Sequence, residues 1–268
     1  MAEIHETALV ADTVTLGQSV NIGPYCCIDG NVEIGDNCRL DAHVVLTGNT
    51  KIGADTRIFP FASIGHVSQD LKYEGEQVFL EIGARNLIRE HVTINLGTAN
   101  GGGVTRVGDD NLFMAGAHVA HDCVVGSHVI FANNAAIGGH VTVEDFAILG
   151  GLAGVHQFSR VGAHSFVGAG SLVTEDVIPF GMVSGNRAVL GGLNLVGLKR
   201  RNFDRDQLNG LRHAYRDVFV GSDGAFQQRV ASAKETYAEN ALVQQMIAFI
   251  LVEKNRGYCL ANPSQLGD

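Results

Sequence analysis

Along most of the chain an apolar residue recurs at every sixth position. The series runs Ile4, Val10, Leu16, Ile22, Ile28, Ile34, Leu40, Leu46, Ile52, Ile58 and Ile64, then Ile82, Ile88 and Ile94. It continues from Val107 through Phe113, Val119, Val125, Phe131, Ile137, Val143, Leu149, Val155, Val161 and Val167 to Val173. No anchor is polar. Four residues after the anchor comes a second, small side chain, among them Ala8, Cys26, Cys38, Ala62, Ala117, Cys123 and Ala135, so each hexad has two inward positions. Glycine often follows the anchor, as at Gly53 and Gly138, where a turn favours a residue without Cβ. Hexapeptide periodicity sustained over this length predicts a parallel β-helix.

The pattern resembles the left-handed hexapeptide-repeat family, in which three hexads form one triangular coil, an exception to the usual right-handed crossover. Residues 18 apart then stack at roughly 4.8 Å, the spacing of neighbouring strands. Two interruptions stand out. Ile64 and Ile82 are 18 residues apart, one coil's worth, yet 69–79 is charged and lacks the repeat, so it reads as an excursion. Ile94 and Val107 are 13 apart, a hexad plus seven, which extrudes a loop at about 99–106. Removing those seven residues sets Asn95 one rung below Ala120.

The repeat ends near Val173, Pro179 marks the exit, and 180–197 is irregular. Asp204 is placed to cap a helix that carries Leu208, Leu211, Tyr215 and Val218 on one face. Ser222 is placed to cap a second helix reaching Tyr237, and a third runs from Ala241 to Lys254 with Gly257 just past its end. The expected architecture is mainly β: a left-handed parallel β-helix over 1–190, with a small α-helical domain over 191–268 covering its open end.

Composition agrees with strands and turns: Gly 34, Pro 4 and no Trp. A net charge of -9 argues against nucleic acid or an anionic membrane surface as the main partner. The start lacks a charged and then apolar leader, and no apolar run approaches the roughly 20 residues of a bilayer span, so a cytoplasmic protein with no integral membrane segment is expected. Five cysteines without paired spacing form no disulfide framework, and Cys26, Cys38 and Cys123 fall on inward positions.

The ten histidines before residue 200 all miss the inward positions. His5, His43, His66, His91, His128 and His164 read as solvated surface residues. The rest are sorted by the 18-residue turn: Gly139 and Gln157 stack on His121, His140 on Asp122, and His156 on Gly138. His118, His121, His140 and His156 therefore share one edge of the prism, flanked by both interruptions, and insertions in solenoids tend to mark the binding face. A histidine is a suitable general base for activating a hydroxyl; His121 is the candidate, with Asp122 or a carbonyl to set its tautomer. The Gly139 N–H, one rung away and unshielded by a side chain, is placed to donate to an oxyanion in acyl transfer. Histidines on one edge are also compatible with Zn²⁺, as in hexapeptide-repeat carbonic anhydrases, and both chemistries remain open on residue type.

Longer motifs narrow the choice. QDLKY at 69–73, GGG at 101–103, HVAHDC at 118–123, GGH at 138–140, VHQF at 155–158 and GLKRR at 197–201 together resemble the UDP-N-acetylglucosamine O-acyltransferase family of lipid A synthesis across the chain. The resemblance implies a homotrimer with clefts between neighbours. It implies transfer of an (R)-3-hydroxyacyl group from acyl carrier protein to the glucosamine 3-hydroxyl, with no metal or organic cofactor. It makes His121 the base, Asp122 its partner and Gly139 the oxyanion donor. His118, His140, His156 and Gln157 match substrate contacts, Asp70 and Lys72 match sugar and phosphate contacts, and Asn194 and Arg200 match nucleotide or acyl contacts. Arg201, with Lys199 and Arg200, forms a basic run suited to an acidic carrier or a phosphate.

Ala169 occupies the position that sets acyl length. Asn95 stands where many members have His, Leu96 where they have Arg, Val196 for a nucleotide-contacting Glu and Arg187 for a His. These departures admit a 3-amino UDP-sugar analogue as acceptor. The rival N-acyltransferase of the same pathway carries an extra N-terminal domain, for which a repeat starting at Ile4 leaves no room. A different class, a zinc-dependent hexapeptide-repeat hydratase, is the remaining alternative, and a purely structural β-helix predicts no functional clustering on one edge.

Overall fold

The computed structural model describes residues 1–252 and 256–261. Short strands, mostly of two residues, alternate with tight corners, and the chain visits three parallel faces in turn as a left-handed β-helix. The first face starts at Glu3–Ile4, the second at Leu9–Val10 and the third at Thr15–Leu16. Anchors stack on anchors: Val119 lies between Ile94 below and Ile137 above. Their side chains fill the prism and are almost wholly buried, with Phe113 and Phe131 in ring contact at 4.9 Å. At the first coil none of the described residues lies beneath, and Ile4 remains 48% exposed.

The corners explain the glycines differently from a turn requirement. Left-handed backbone falls two residues further on, at non-glycine positions such as Asp122 (φ 59) and His140 (φ 61), whereas Gly53 has no positive φ. A Cβ at Gly53 would instead collide with the carbonyl carbon of Gly83 one rung above. Close approach between coils, not torsional freedom, selects glycine there. Many of the left-handed corner residues are held by a rung-to-rung bond, as when His140 N donates to His121 O at 3.0 Å.

The first interruption differs from one coil's worth. Ser63 pairs with Thr93, a separation of 30 residues, so twelve beyond the normal 18 are inserted at the corner between the second and third faces. Phe79 pairs with Val104, 25 residues on, so the second insertion has the expected seven and leaves from the same corner. Beyond Val173 the coil continues out of register: Val177 bridges Val161, and Gly181–Ser184 pairs with Phe166–Val167 before turning into an antiparallel hairpin with Val189–Leu193. That hairpin occupies part of the stretch expected to be irregular and crosses residue 190.

Among the described residues four α-helices follow: α1 (Leu195–Arg200), α2 (Arg205–Tyr215), α3 (Phe226–Thr236) and α4 (Ala241–Leu251). Asp204 caps α2 as expected, accepting from the Asp206 and Gln207 amides. Ser222 does not cap α3, which begins after Ala225, and α1 was not foreseen. Asn240 caps α4, which ends at Leu251, and Lys254 lies outside the described residues. The helices are tied to the coil by Arg160, which pairs with Asp176 at 2.8 Å and lies 4.0 Å over the Phe249 ring. Among the described residues no helix is long and apolar enough to cross a membrane.

Candidate active site

Both insertions and the histidine edge share the corner between the second and third faces. His118 projects from the strand His118–Val119, and the chain turns at His121 and Asp122 before Val124–Val125. His121 Nδ1 lies 2.7 Å from Asp122 Oδ2, and the Asp122 side chain is 0% exposed. A buried carboxylate needs donors, and Asp122 has them: Thr98 N donates to Oδ1 at 2.9 Å and Thr98 Oγ1 to Oδ2 at 2.6 Å. The Asp122 amide in turn donates to Thr105 Oγ1 at 2.8 Å. His121 is thereby fixed through Nδ1, and among the described residues its Nε2 has no hydrogen-bond partner.

Gly139 sits against that ring: a Cβ added there would stand 2.6 Å from Nε2. The Gly139 carbonyl accepts from Phe158 N at 3.1 Å, while its own amide has no acceptor among the described residues. An imidazole with a free ring nitrogen and an unpaired amide thus lie side by side. That pairing can remove a proton from a nucleophile and stabilise the charge formed on a carbonyl oxygen.

His140 meets His121 edge-on at 5.1 Å and stacks on Phe158 at 4.4 Å. Burial holds it below the ordinary histidine pKa, an effect that the charges of Asp122 and Asp70 oppose. Asp70 belongs to the first insertion, where its Oδ1 accepts from Lys72 N at 3.1 Å; Lys72 is exposed. His118 accepts or donates through Nδ1 to Thr93 Oγ1 at 2.7 Å and is likewise depressed, chiefly by burial and then by His121. His156 and Gln157 are exposed at the upper rim, and Asn95 is buried with Nδ2 directed at the carbonyls of His66 and Val67.

The remaining expected residues lie elsewhere on the prism. Ala169 is exposed on the corner between the first and second faces. Between there and His121 lies the second face, where Ala136 pairs with Gly154 and Gly154 with Leu172, which is exposed. Asn194, Arg200 and Arg201 sit at the third corner. Asn194 Nδ2 donates to His164 O at 3.0 Å while its Oδ1 caps α1. Arg201 is a clamp rather than a free cation: Nη1 donates to His164 Nδ1 at 3.1 Å and Nη2 to Phe146 O at 3.0 Å. His164 correspondingly is no solvated residue, being stacked between Phe146 and Phe180.

Sequence reasoning missed Thr98, Thr105 and Arg256. Arg256 Nη2 lies 2.9 Å from His156 Nδ1 and 3.1 Å from Gln157 O, adding a cation to the rim. A signal for Thr105 alone existed: Val104 lies 18 residues before Asp122, so counting coils puts the end of the loop beneath it.

His121, Asp122 and His140 offer ligand atoms all within 4.8 Å of one another. An ion bound there would have to displace the 2.6 Å bond from Thr98 Oγ1 and the 2.7 Å bond to His121, so this donor set suits a hydrogen-bonded dyad better than a metal.

Residues 176–259 match the family model described as UDP N-acetylglucosamine O-acyltransferase, domain 2, and residues 13–48 and 105–139 match the bacterial transferase hexapeptide model. A relative from Paracoccus denitrificans, an acyl-(acyl-carrier-protein)–UDP-N-acetylglucosamine O-acyltransferase, is 50% identical over 208 residues, 77% of each chain. A protein of the same name from Rhizobium johnstonii is 46% identical over 264 residues, covering 98% of this chain and 96% of the relative. The crystal structure of UDP-N-acetylglucosamine O-acyltransferase from Moraxella catarrhalis aligns with a TM-score of 0.91 at 41% identity, covering 96% of this chain and 99% of that one.

Proposed function

The chain belongs to the UDP-N-acetylglucosamine O-acyltransferase family, and from that premise we propose that it transfers an (R)-3-hydroxyacyl group from acyl carrier protein to the 3-hydroxyl of UDP-N-acetylglucosamine with His121 as general base. The observation that carries this reading is the free Nε2 of His121, fixed from behind by Asp122 and lying beside the unpaired Gly139 amide. Nε2 takes the proton of the sugar hydroxyl, whose oxygen attacks the thioester carbonyl. The negative charge that develops on the carbonyl oxygen is met by Gly139 N–H. Collapse breaks the carbon–sulfur bond, and the imidazolium returns its proton to the departing thiolate. Asp122 stabilises the cationic ring between those two proton transfers.

Other residues take supporting roles. His118, His140, His156 and Gln157 line the sugar side, with Asp70 and Lys72 from the first insertion. The acyl chain runs over Ala136, Gly154 and the exposed Leu172 of the second face towards Ala169, whose size limits its length. Asn194, Arg200 and Arg201 lie on another corner, so they serve a cleft completed by a neighbouring chain in a homotrimer. We read the step as one that takes place in the cytoplasm.

His121→Ala lowers turnover by roughly 10² to 10⁴-fold while the circular dichroism and melting midpoint stay near those of the parent. Near-parental turnover overturns the assignment of the base. Assaying the parent after chelator treatment in the same series separates the zinc reading, since loss of activity there would favour a metal. Offering 3-hydroxyl and 3-amino UDP-sugars in competition identifies the acceptor.

A further inference from the structure

The second insertion grips Asp122 from both of its ends. Thr98, at the entry, gives the carboxylate both its amide and its hydroxyl, and Thr105, at the exit, accepts from the Asp122 amide. Between them Gly101 presses so closely that a Cβ there would collide with the carboxylate. Thr98 is itself buried, at 6% exposed. It stands at the N-terminal cap of the one-turn helix Ala99–Gly101, yet its hydroxyl makes no capping bond. The group that would ordinarily close that turn is turned instead to Asp122.

The carboxylate has two imidazoles within reach. Oδ2 is 2.7 Å from His121 Nδ1 and 3.9 Å from His140 Nε2. A carboxylate free to rotate about its last torsion could serve either ring, and water could fill the vacated position. Two bonds from Thr98, one to each oxygen, fix both the plane and the direction of the group. We propose that Thr98 is a positioning residue that commits Asp122 to His121 rather than His140, and so decides which of the two imidazoles acts as the base.

This inference rests on the reading of His121 as the general base, and the test separates the two. Thr98→Val is nearly isosteric and keeps the backbone bond to Oδ1, while Thr98→Ser keeps the hydroxyl and loses only the methyl. Steady-state kinetics on the full-length enzyme should show kcat for Thr98→Val reduced roughly tenfold, a part of the 10² to 10⁴ that a positioned base contributes. KM for both substrates should stay within about twofold, the signature of an interaction that matters in the transition state rather than in binding. Thr98→Ser should recover most of the loss, with melting midpoints of both variants near the parent's. Parental kcat in Thr98→Val, an equal loss in both variants, or a loss accompanied by a matching rise in KM overturns the proposal. If His121→Ala is inactive while Thr98→Val is normal, only the role of Thr98 fails; if His121→Ala is active, the assignment of the base fails with it.

Discussion

A methyl group on Gly139 would stand 2.5 Å from Cε1 of His121, closer than carbon atoms approach without displacement. Glycine is therefore required twice at one position: it lets the ring lie against the backbone, and it leaves the amide uncovered. Since Gly139 has no positive φ, alanine suits its torsions and the coil should still form. Gly139→Ala keeps the N–H but its methyl must push the His121 ring aside, so it should leave the melting midpoint nearly unchanged and cut turnover by roughly 10² to 10⁴-fold, the worth of a positioned base. Normal turnover would mean that His121 can move aside and that the close approach is incidental. His121, Asp122 and Gly139 were legible from the sequence because stacking at 18 residues is a property of the repeat. Thr98 was not, since a loop outside the repeat has no register from which its side-chain partners follow.

At the level of elements, the corner that carries Phe146, His164 and Phe180 joins the coil to the helices. The three rings stack, with centroids 4.7 and 5.7 Å apart, and Phe203 meets His164 edge-on at 5.0 Å. Burial, and then the Arg201 guanidinium, push His164 down to about 4 from an ordinary 6.5, although Asp145 opposes the shift. Arg201 donates to Nδ1, a nitrogen that can accept only while unprotonated. Between pH 6.5 and about 4 the unfolded chain binds a proton at this residue that the folded chain refuses, so stability falls as pH falls through that window. His164→Gln should flatten this part of a melting-midpoint profile, and an unchanged slope would show that other groups dominate it. From the repeat alone His164 is expected to be solvated, because it faces outward from the coil. What covers it, α1 and the residues after it, lies more than 30 positions away and carries no repeat.

The whole molecule raises the question of assembly. In one chain His121 lies on the corner between the second and third faces, while Arg200 lies near the corner between the third and first. A prism separates them, and its core is filled by stacked anchors. If a neighbour supplies the second wall, the mass in solution should be three times 28.4 kDa, about 85 kDa. Arg200→Glu then provides a sharper measurement. Assuming that it is inactive alone, co-assembly with His121→Ala chains should restore activity, because some clefts receive both parental residues. No recovery in mixed assemblies would place both residues in a cleft made by one chain.

Local repetition was enough to determine the β-helix, its inward positions, its coil length and the column that brings Gly139 over His121. Each coil repeats the same contacts with its neighbour, so a periodicity of six carries almost all the information needed for that part of the fold. Tertiary structure alone decided the parts without a period. The twelve-residue insertion, the hairpin after Val173 and the start of α3 all depended on contacts distant in sequence. So did the most consequential detail at the site, the choice of Asp122 between two histidines, which rests on a hydroxyl 24 residues earlier in a loop that stacking does not place.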